Sequence, residues 1–259
     1  MIVLHTDLDN TLIYSYKRDI GEQKRCVEIY QGRAISFMSE KSYRKLKEVK
    51  KKVLVVPTTT RTLEQYKRIN LGIGMVPYAL VCNGGVLLKA GEEDEAWYEE
   101  SLRMVADCQE QLEIAERMLE VDPYLDFEIR NIQKLFIFTK SCEPDKTIAY
   151  LKQELDTSLV DVFSNGVKVY VVPKQLSKGE AVRRFRKYIK EEITIDTVIA
   201  AGDSEFDVSM LHAVDIGLAP MSLGKEYDLQ KHVICIEAEK IFAESILEYI
   251  MKISNESLA

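Results

Sequence analysis

Two aspartates separated by one residue follow an apolar run near the start of the 259-residue chain. Residues 2–4 (IVL) predict a buried strand, and Asp7 and Asp9 come shortly after it in the sequence DLDNT. Beyond a strand end, two carboxylates at this spacing can reach one small volume. One can act as a nucleophile and metal ligand while the other moves protons, an established covalent route for phosphoryl transfer. The alternative is an Asx-type turn in which Asp and Asn only cap the next element.

A second acidic group follows a later predicted strand. Residues 202–207 read GDSEFD. Gly202 permits a tight turn, and Asp203 would then face the same edge of a sheet as Asp7. Mg²⁺ prefers oxygen ligands, usually one or two carboxylates together with phosphate and water. An N-cap at Asp203 or Ser204 is the other interpretation, and the two roles are compatible.

Two further polar positions lie at the starts of predicted helices. The positive charge of Lys178 lies at the amino end of a predicted helix, where the helix dipole disfavours it. A nearby carboxylate and phosphate that the lysine neutralises would offset this cost. Taken alone, it is more simply a solvated lysine. Thr59 lies in the sequence TTTR between a strand and a helix, where hydroxyl and N–H groups suit an anionic oxygen. A plain threonine N-cap is the alternative.

Composition and charge exclude several classes of protein. A net charge of -7 and a pI of about 5.3 disfavour binding to nucleic acid or to anionic membranes. The apolar runs are strand-sized, and the first residues lack the features of a signal peptide, so we expect no membrane partner. The five cysteines are widely spaced and form no CxxC, which argues against a disulfide framework or a zinc site. This pattern fits a protein of the reducing cytoplasm. The sequence does not determine the oligomeric state.

The elements that must position these residues alternate along the chain. β-branched runs predict strands at 2–4, 53–56, 79–82, 198–201 and 233–236. Charged periodic stretches predict helices at 40–51, 62–70, 178–191 and 206–213. This alternation predicts an α/β fold with a Rossmann-like parallel-sheet core covered on both faces. Such folds bind ligands at the carboxyl ends of their strands, where the polar residues above fall.

The middle of the chain has a different pattern. An amphipathic helix is predicted over 97–120, and residues 164–166 (SNG) predict a hairpin turn between two further strands. Helical and hairpin signals in this block predict a separate α+β cap domain at 87–172. It would be inserted into a catalytic core formed by 1–86 and 173–259.

Together, the four polar segments resemble the ordered motifs of the haloacid dehalogenase superfamily of phosphatases. Residues 7–12 (DLDNTL) look like its first motif, and Thr59 looks like its second-motif hydroxyl. Lys178 resembles the third-motif lysine, and residues 202–207 resemble the GDSxxD form of the fourth motif. Residues 83–85 (NGG) resemble a segment of the Cof-type and sucrose-phosphatase-like branch. That branch carries a large α/β cap between motifs two and three, where the inserted domain is predicted.

The resemblance implies catalytic roles. Asp7 would be the nucleophile, and Asp9 the general acid/base. Thr59 would bind the transferring phosphoryl group, and Lys178 would neutralise Asp7 and the phosphate. Asp9 would give Mg²⁺ only its backbone carbonyl, and the last aspartate of the fourth motif would ligate the ion or orient a bound water. The implied metal ligands are Asp7, Asp9, Asp203 and Asp207.

The sequence departs from the family pattern in two places. Thr60 stands where many relatives have glycine, which would narrow a phosphate pocket. Residues 14–38 form a longer segment than the pattern predicts, rich in aromatic and basic side chains. This segment is either a flap that reads an anionic substrate or a solvated β-excursion. The predicted substrate-binding positions are Thr60, Arg61, Asn83 and Gly84.

The main hypothesis is a Mg²⁺-dependent cytoplasmic phosphatase that acts on a small phosphorylated metabolite. A sugar phosphate is the expected class of substrate, and an aspartyl-phosphate the expected intermediate. A phosphomutase of the same fold is one alternative, and Asp9 suits both activities. A non-catalytic phosphate-sensing module is another, although a scaffold need not keep all of Asp7, Asp9, Lys178 and Asp203.

Overall fold

The alternation of strands and helices is present in a computed structural model of the chain, which describes residues 1–237 and 241–256. The first strands in chain order are β1 (Ile2–Thr6), β2 (Tyr14–Ser15), β3 (Lys24–Tyr30), β4 (Arg33–Ser39), β5 (Val53–Pro57), β6 (Tyr78–Val81), β7 (Val86–Lys89) and β8 (Glu92–Glu93). The later strands are β9 (Arg130–Ile132), β10 (Phe136–Lys140), β11 (Val160–Asn165), β12 (Lys168–Pro173), β13 (Thr197–Ala201), β14 (Ile216–Pro220) and β15 (Val233–Ile236). The α-helices are α1 (Glu40–Val49), α2 (Leu63–Lys67), α3 (Glu95–Met104), α4 (Gln109–Glu120), α5 (Pro144–Leu151), α6 (Lys178–Ile189), α7 (Glu205–Leu211), α8 (Met221–Glu226) and α9 (Phe242–Glu256).

A parallel sheet of five strands forms the centre of the fold, in the order β15-β14-β13-β1-β5. Thr6, the last residue of β1, lies opposite Ala201 of β13 and Pro57 of β5. Every residue of β1 is buried, as expected for a parallel strand covered on both faces. The segments that follow these three strands therefore leave the sheet at the same edge. The predicted α/β fold with a parallel-sheet core is confirmed.

Helices cover both faces of this sheet. On one face, Leu4 and Ile199 belong to a buried cluster with Ile246 and Leu247 of α9. On the other face, Val198 and Ala200 belong to a cluster with residues of α6 and α7. Burying one such side chain contributes roughly 1.5–3 kcal/mol, so this double coverage fixes the strand ends that carry the polar residues.

The predicted strand at 79–82 is present as β6, but it does not belong to the central sheet. Cys82 and Asn83 have positive φ angles of 52° and 57°, so the chain reverses there in a short 3-10 turn. β7 then pairs with β6 antiparallel, with Val81 opposite Val86. A single parallel bridge between Thr58 and Leu80 connects this smaller sheet to the end of β5.

The segment at 14–38 folds into an antiparallel sheet in the order β2-β4-β3. Gln31 and Gly32 close the β3–β4 hairpin with positive φ angles, as a two-residue turn requires. Two of its aromatic residues differ in their exposure to solvent. Tyr14 is buried and its hydroxyl donates to the Thr11 carbonyl at 3.2 Å, whereas Tyr16 is exposed.

The chain divides into two compact units, Met1–Asp94 with Ser177–Ala259, and Glu95–Leu176. The first junction lies later than the predicted residue 87 because β7 pairs with β6 and so remains in the first unit. The second unit contains an antiparallel sheet in the order β11-β12-β10-β9, with α4 and α5 packed on it. The helix predicted over 97–120 is broken into α3, a 3-10 turn and α4.

Within residues 1–237 and 241–256, none of the helices has the length and apolar character needed to cross a membrane.

Candidate active site

Asp7 lies directly beyond β1 and is held there by the sheet. Its backbone N–H donates to the Ala201 carbonyl at 2.9 Å, which extends the pairing of β1 with β13 by one residue. Thr6 Oγ1 donates to the Asp7 carbonyl at 2.8 Å. The Asp7 side chain is buried, so its carboxylate is directed into the interior at the strand end.

Lys178 reaches Asp7 from the first turn of α6. The N-cap residue Ser177 accepts a hydrogen bond from Glu180 N through its hydroxyl, which starts the helix at Lys178. Lys178 Nζ lies 2.6 Å from Asp7 Oδ1 and 2.5 Å from Asp207 Oδ1, and the residue is 1% exposed. Burial opposes its charged form, but the two carboxylates outweigh burial and raise the pKa of Lys178 above its ordinary value. The ammonium therefore stays charged.

Asp203 and Asp207 are fixed by the turn between β13 and α7. Asp207 Oδ2 accepts from the backbone N–H groups of Asp203 and Ser204, both at 3.0 Å, and from Ser204 Oγ at 2.9 Å. Thr11 Oγ1 donates to Asp203 Oδ1 at 2.9 Å. A Cβ at position 202 would lie 2.3 Å from the Asp207 Cβ, so Gly202 makes this turn possible. The predicted N-cap role falls to Ser204.

These acids form a carboxylate cluster suited to a hard cation. Oxygens of Asp7, Asp203 and Asp207 all lie within 4.8 Å of one another. Burial raises the pKa of Asp203 to about 7 and that of Asp7 well above its ordinary value, although Lys178 lowers the pKa of Asp7. Three carboxylates face one ammonium, so a divalent cation would supply the missing positive charge. The oxygen donors are those that Mg²⁺ prefers.

Asp9 stands in the loop after β1, and its side chain is 52% exposed. The loop is closed by hydrogen bonds from the N–H groups of Leu12 and Ile13 to the Leu8 carbonyl, at 2.9 and 2.8 Å. Arg61 binds Asp9 through two parallel hydrogen bonds, from Nε at 2.7 Å and from Nη2 at 2.8 Å. This bidentate geometry is the strong form of an Arg–carboxylate pair.

Thr59 lies just beyond the end of β5, which pairs with β1, the strand that precedes Asp7. Its N–H donates to the Leu80 carbonyl at 2.9 Å, and its buried hydroxyl accepts from Arg61 N at 3.2 Å. A hydroxyl that accepts one bond still has its proton to donate. Thr60, the departure from the family's glycine, is partly exposed.

Asn83 and Gly84 lie in the turn after β6, where they support the neighbouring loops. Asn83 N donates to the Thr59 carbonyl at 3.0 Å. Gly84 has a φ of +86°, and a Cβ there would lie 2.2 Å from the Ala181 Cβ of α6. The structure thus brings Asn83 to the Thr59 loop and packs Gly84 against the helix that carries Lys178.

Direct contacts join Asp7, Lys178, Asp207 and Asp203 into one cluster, and a separate ion pair joins Asp9 and Arg61. Sequence reasoning missed Glu28, whose Oε1 accepts from Arg61 Nη1 at 2.9 Å. No motif marks this residue, because it lies in a segment whose pattern predicts only a β-excursion.

Comparisons with known proteins identify the family of this chain. A sequence profile of haloacid dehalogenase-like hydrolases matches residues 90–226, more than half of the chain. The matched segment contains Lys178, Asp203 and Asp207, and Asp7 precedes it. The chain therefore belongs to the haloacid dehalogenase-like hydrolases, and the predicted superfamily and hydrolytic enzyme are confirmed. No match is found among curated proteins.

Solved structures show the same fold at low sequence identity. The sucrose-phosphatase of Synechocystis sp. PCC6803, solved with sucrose and phosphate, is 18% identical with a TM-score of 0.65, covering 97% of both chains. A trehalose-6-phosphate phosphatase related protein is 16% identical with a TM-score of 0.58, covering 98% of this chain and 99% of its own. A haloacid dehalogenase-like hydrolase from B. subtilis is 17% identical with a TM-score of 0.57, covering 97% of this chain and 99% of its own.

Proposed function

We propose that the chain is a Mg²⁺-dependent phosphatase that hydrolyses a small phosphorylated metabolite through an aspartyl-phosphate. The observation that carries this proposal is the bridging position of Lys178 Nζ, 2.6 Å from Asp7 and 2.5 Å from Asp207. A buried lysine at the head of a helix places positive charge where a nucleophilic carboxylate and a phosphate would meet. Preorganised charge of this kind commonly contributes more to catalysis than any other single effect.

The chain's own residues account for both chemical steps. An Asp7 oxygen attacks phosphorus, the bond from phosphorus to the leaving oxygen breaks, and Asp9 gives that oxygen its proton. Asp9 then takes a proton from water, which attacks the acyl phosphate, releasing inorganic phosphate and restoring Asp7. Thr59 and Lys178 hold the phosphoryl oxygens throughout. Asp7, Asp203, Asp207 and the Asp9 carbonyl would hold Mg²⁺, which supplies charge neutralisation of the phosphoryl group when bound.

A sugar phosphate is the proposed class of substrate. Two solved structures with this fold are named as a sucrose-phosphatase and as a protein related to trehalose-6-phosphate phosphatase. At this low identity the two structures support the fold alone, and the substrate class is carried to this chain as part of the proposal.

The cysteines of the described chain are free thiols, which supports the proposed cytoplasmic location.

A phosphate-release assay tests the proposal. Inorganic phosphate should be released from p-nitrophenyl phosphate and from some members of a panel of sugar phosphates, only with Mg²⁺ present. Transfer of the phosphoryl group within a sugar, without release of phosphate, would indicate a mutase instead. Full activity in excess EDTA would contradict the metal requirement.

A further inference from the structure

Glu28 is a buried carboxylate in β3 whose partners are mostly cationic. The residue is 1% exposed. Its Oε1 accepts from Arg61 Nη1 at 2.9 Å and from Arg68 Nε at 3.2 Å, and its Oε2 accepts from Ser36 Oγ at 2.6 Å. Burial opposes ionisation, but the hydrogen bonds from Arg61 and Ser36 outweigh it and lower the pKa of Glu28. Charged groups are retained in a protein interior when they are paired in this way.

An irregularity in β3 turns Glu28 inward. The register of β3 against β4 shifts on both sides of this residue. Val27 and Glu28 are consecutive and both buried, whereas a regular strand alternates its side chains between two faces. Asn70 N donates to the Val27 carbonyl at 2.8 Å, so the bulged segment is tied to the chain after α2. Bulges commonly re-aim a side chain next to an active site.

Arg61 connects Glu28 to Asp9. One edge of its guanidinium donates to both oxygens of Asp9, and Nη1 donates to Glu28. A guanidinium is planar and rigid, so fixing Nη1 also fixes the plane in which the other edge meets Asp9. The Asp9 side chain is half exposed, and this clamp limits its rotamers.

We propose that Glu28 is a positioning residue for catalysis, which acts through Arg61 to hold the Asp9 carboxylate in one orientation. The inference rests on the proposed function, in which Asp9 is the general acid/base. In the described part of the chain, the cluster of carboxylate oxygens contains Asp7, Asp203 and Asp207 but not Asp9. Asp7 and Asp9 are two residues apart and would compete for the same cation. The clamp keeps the Asp9 carboxylate out of that cluster.

The test uses two esters that differ in their need for a general acid. The leaving group of p-nitrophenyl phosphate needs little protonation, and that of an alkyl phosphate needs it. Glu28→Gln should lower kcat/KM for the alkyl phosphate by about 10–100-fold, the range expected for a misplaced catalytic group. The loss of kcat/KM for p-nitrophenyl phosphate should stay below about threefold, since its leaving group needs little general-acid catalysis. The comparison uses kcat/KM because this constant reports the attack of Asp7 and the departure of the leaving group, and not the later hydrolysis of the aspartyl-phosphate that both esters share.

A double variant tests whether Glu28 acts through Asp9. Asp9→Asn should show the same selectivity more strongly. Adding Glu28→Gln to it should cost less than about twofold further, because the clamp then has no carboxylate to orient. Equal losses on both esters, or fully additive losses in the double variant, would overturn the inference.

Arg68→Met is the matched control. Arg68 donates to the same Glu28 oxygen as Arg61, but it lies over the Tyr30 ring, whereas Arg61 binds Asp9. Arg68→Met should lower Tm and leave the difference between the two esters unchanged; a loss confined to the alkyl phosphate in this variant would also count against the clamp.

If Glu28→Gln does not fold, Arg61→Lys decides, because lysine keeps the positive charge but cannot bind Asp9 and Glu28 through a planar guanidinium. The same selective loss is expected. Wild-type enzyme inactive on both esters would overturn the proposed function and the inference together, whereas the earlier outcomes overturn the inference alone.

Discussion

At the scale of single residues, the site is defined by an imbalance of charge in a buried volume. Asp7, Asp203 and Asp207 bring three carboxylates to one place, and Lys178 brings one ammonium. When all are ionised, two negative charges remain in excess. Buried charges are tolerated when they are paired or coordinate a metal. We propose that a divalent cation supplies the positive charge that this cluster lacks.

Asp7→Asn should abolish turnover and leave the fold intact. The amide keeps the shape and can still accept a hydrogen bond from Lys178, but it is a poor nucleophile. It also removes one charge from a crowded acidic cluster, so without Mg²⁺ the Tm should equal or exceed that of the wild type. Kinetics and thermal melts with EDTA would check both points. A kcat above about a tenth of the wild-type value, only ~1.4 kcal/mol in barrier, would contradict the nucleophilic role.

Glu28→Gln should lower stability in a pH-dependent way. The folded-state pKa of Glu28 lies below its unfolded value, so the unfolded chain binds more protons in acid. Its ionised form thus contributes stability above the unfolded pKa, about 4.3, and this contribution is lost as pH falls through the lower folded pKa. The variant should be less stable by roughly 1.5–3 kcal/mol at pH 7, the range for hydrogen bonds to charged groups. Denaturant unfolding at pH 7 and in acid should show the difference shrinking; a constant difference would contradict ionisation.

At the scale of elements, α6 must lie close to its neighbours for Lys178 to reach Asp7. Two glycines permit this approach. A Cβ at Gly179 would lie 2.3 Å from the Ser209 carbonyl oxygen of α7, and one at Gly84 would lie 2.2 Å from the Ala181 Cβ. The turn at 82–84 and α7 therefore set the position of the α6 amino end.

Gly84→Ala should lower both stability and activity, and Gly91→Ala is its matched control. Both glycines have φ near +90°, but the added methyl meets Ala181 at position 84 and nothing within 4 Å at position 91. Both variants carry the strain of a left-handed alanine, roughly 1–2 kcal/mol, and only the first adds overpacking of about 1–3 kcal/mol. Unfolding curves and kcat would be compared. Equal effects of the two variants would show that the α6 contact is unimportant.

At the scale of the whole molecule, the proposed chemistry lies in one unit and the proposed specificity in the other. Asp7, Asp9, Thr59, Lys178 and Asp203 all belong to Met1–Asp94 with Ser177–Ala259. We propose that the unit Glu95–Leu176 is a cap that recognises the substrate beyond its phosphate.

Replacing Glu95–Leu176 by a short Gly/Ser linker should have separable effects. Weak hydrolysis of p-nitrophenyl phosphate should persist, because the catalytic side chains remain. Discrimination among sugar phosphates should collapse. Circular dichroism and Mg²⁺-dependent thermal shifts would confirm that the remaining chain folds. A truncated protein with the full substrate preference of the intact chain would refute the cap role and direct attention to residues 14–38.

Much of the fold and of the candidate site follows from local sequence patterns. A buried β1 ending at Thr6 places Asp7 at a sheet edge, and parallel pairing brings Asp203 to the same edge. These inferences succeed because strand period and turn chemistry are local properties. The ordered motifs with Lys178 identified the superfamily for the same reason, since each motif is a short segment at a strand or helix end.

Only the tertiary structure assigned Glu28 and the position of β6. Glu28 becomes buried because a bulge breaks the alternation of β3 and because two arginines from a distant segment neutralise it. The chain reverses after β6 because Cys82 and Asn83 adopt positive φ, which their types alone do not require, and β6 then pairs with β7. The sequence by itself determined the superfamily and supplied the residues proposed for phosphoryl transfer. The tertiary structure decided which of them meet, because burial and ion pairing depend on residues far apart in the chain.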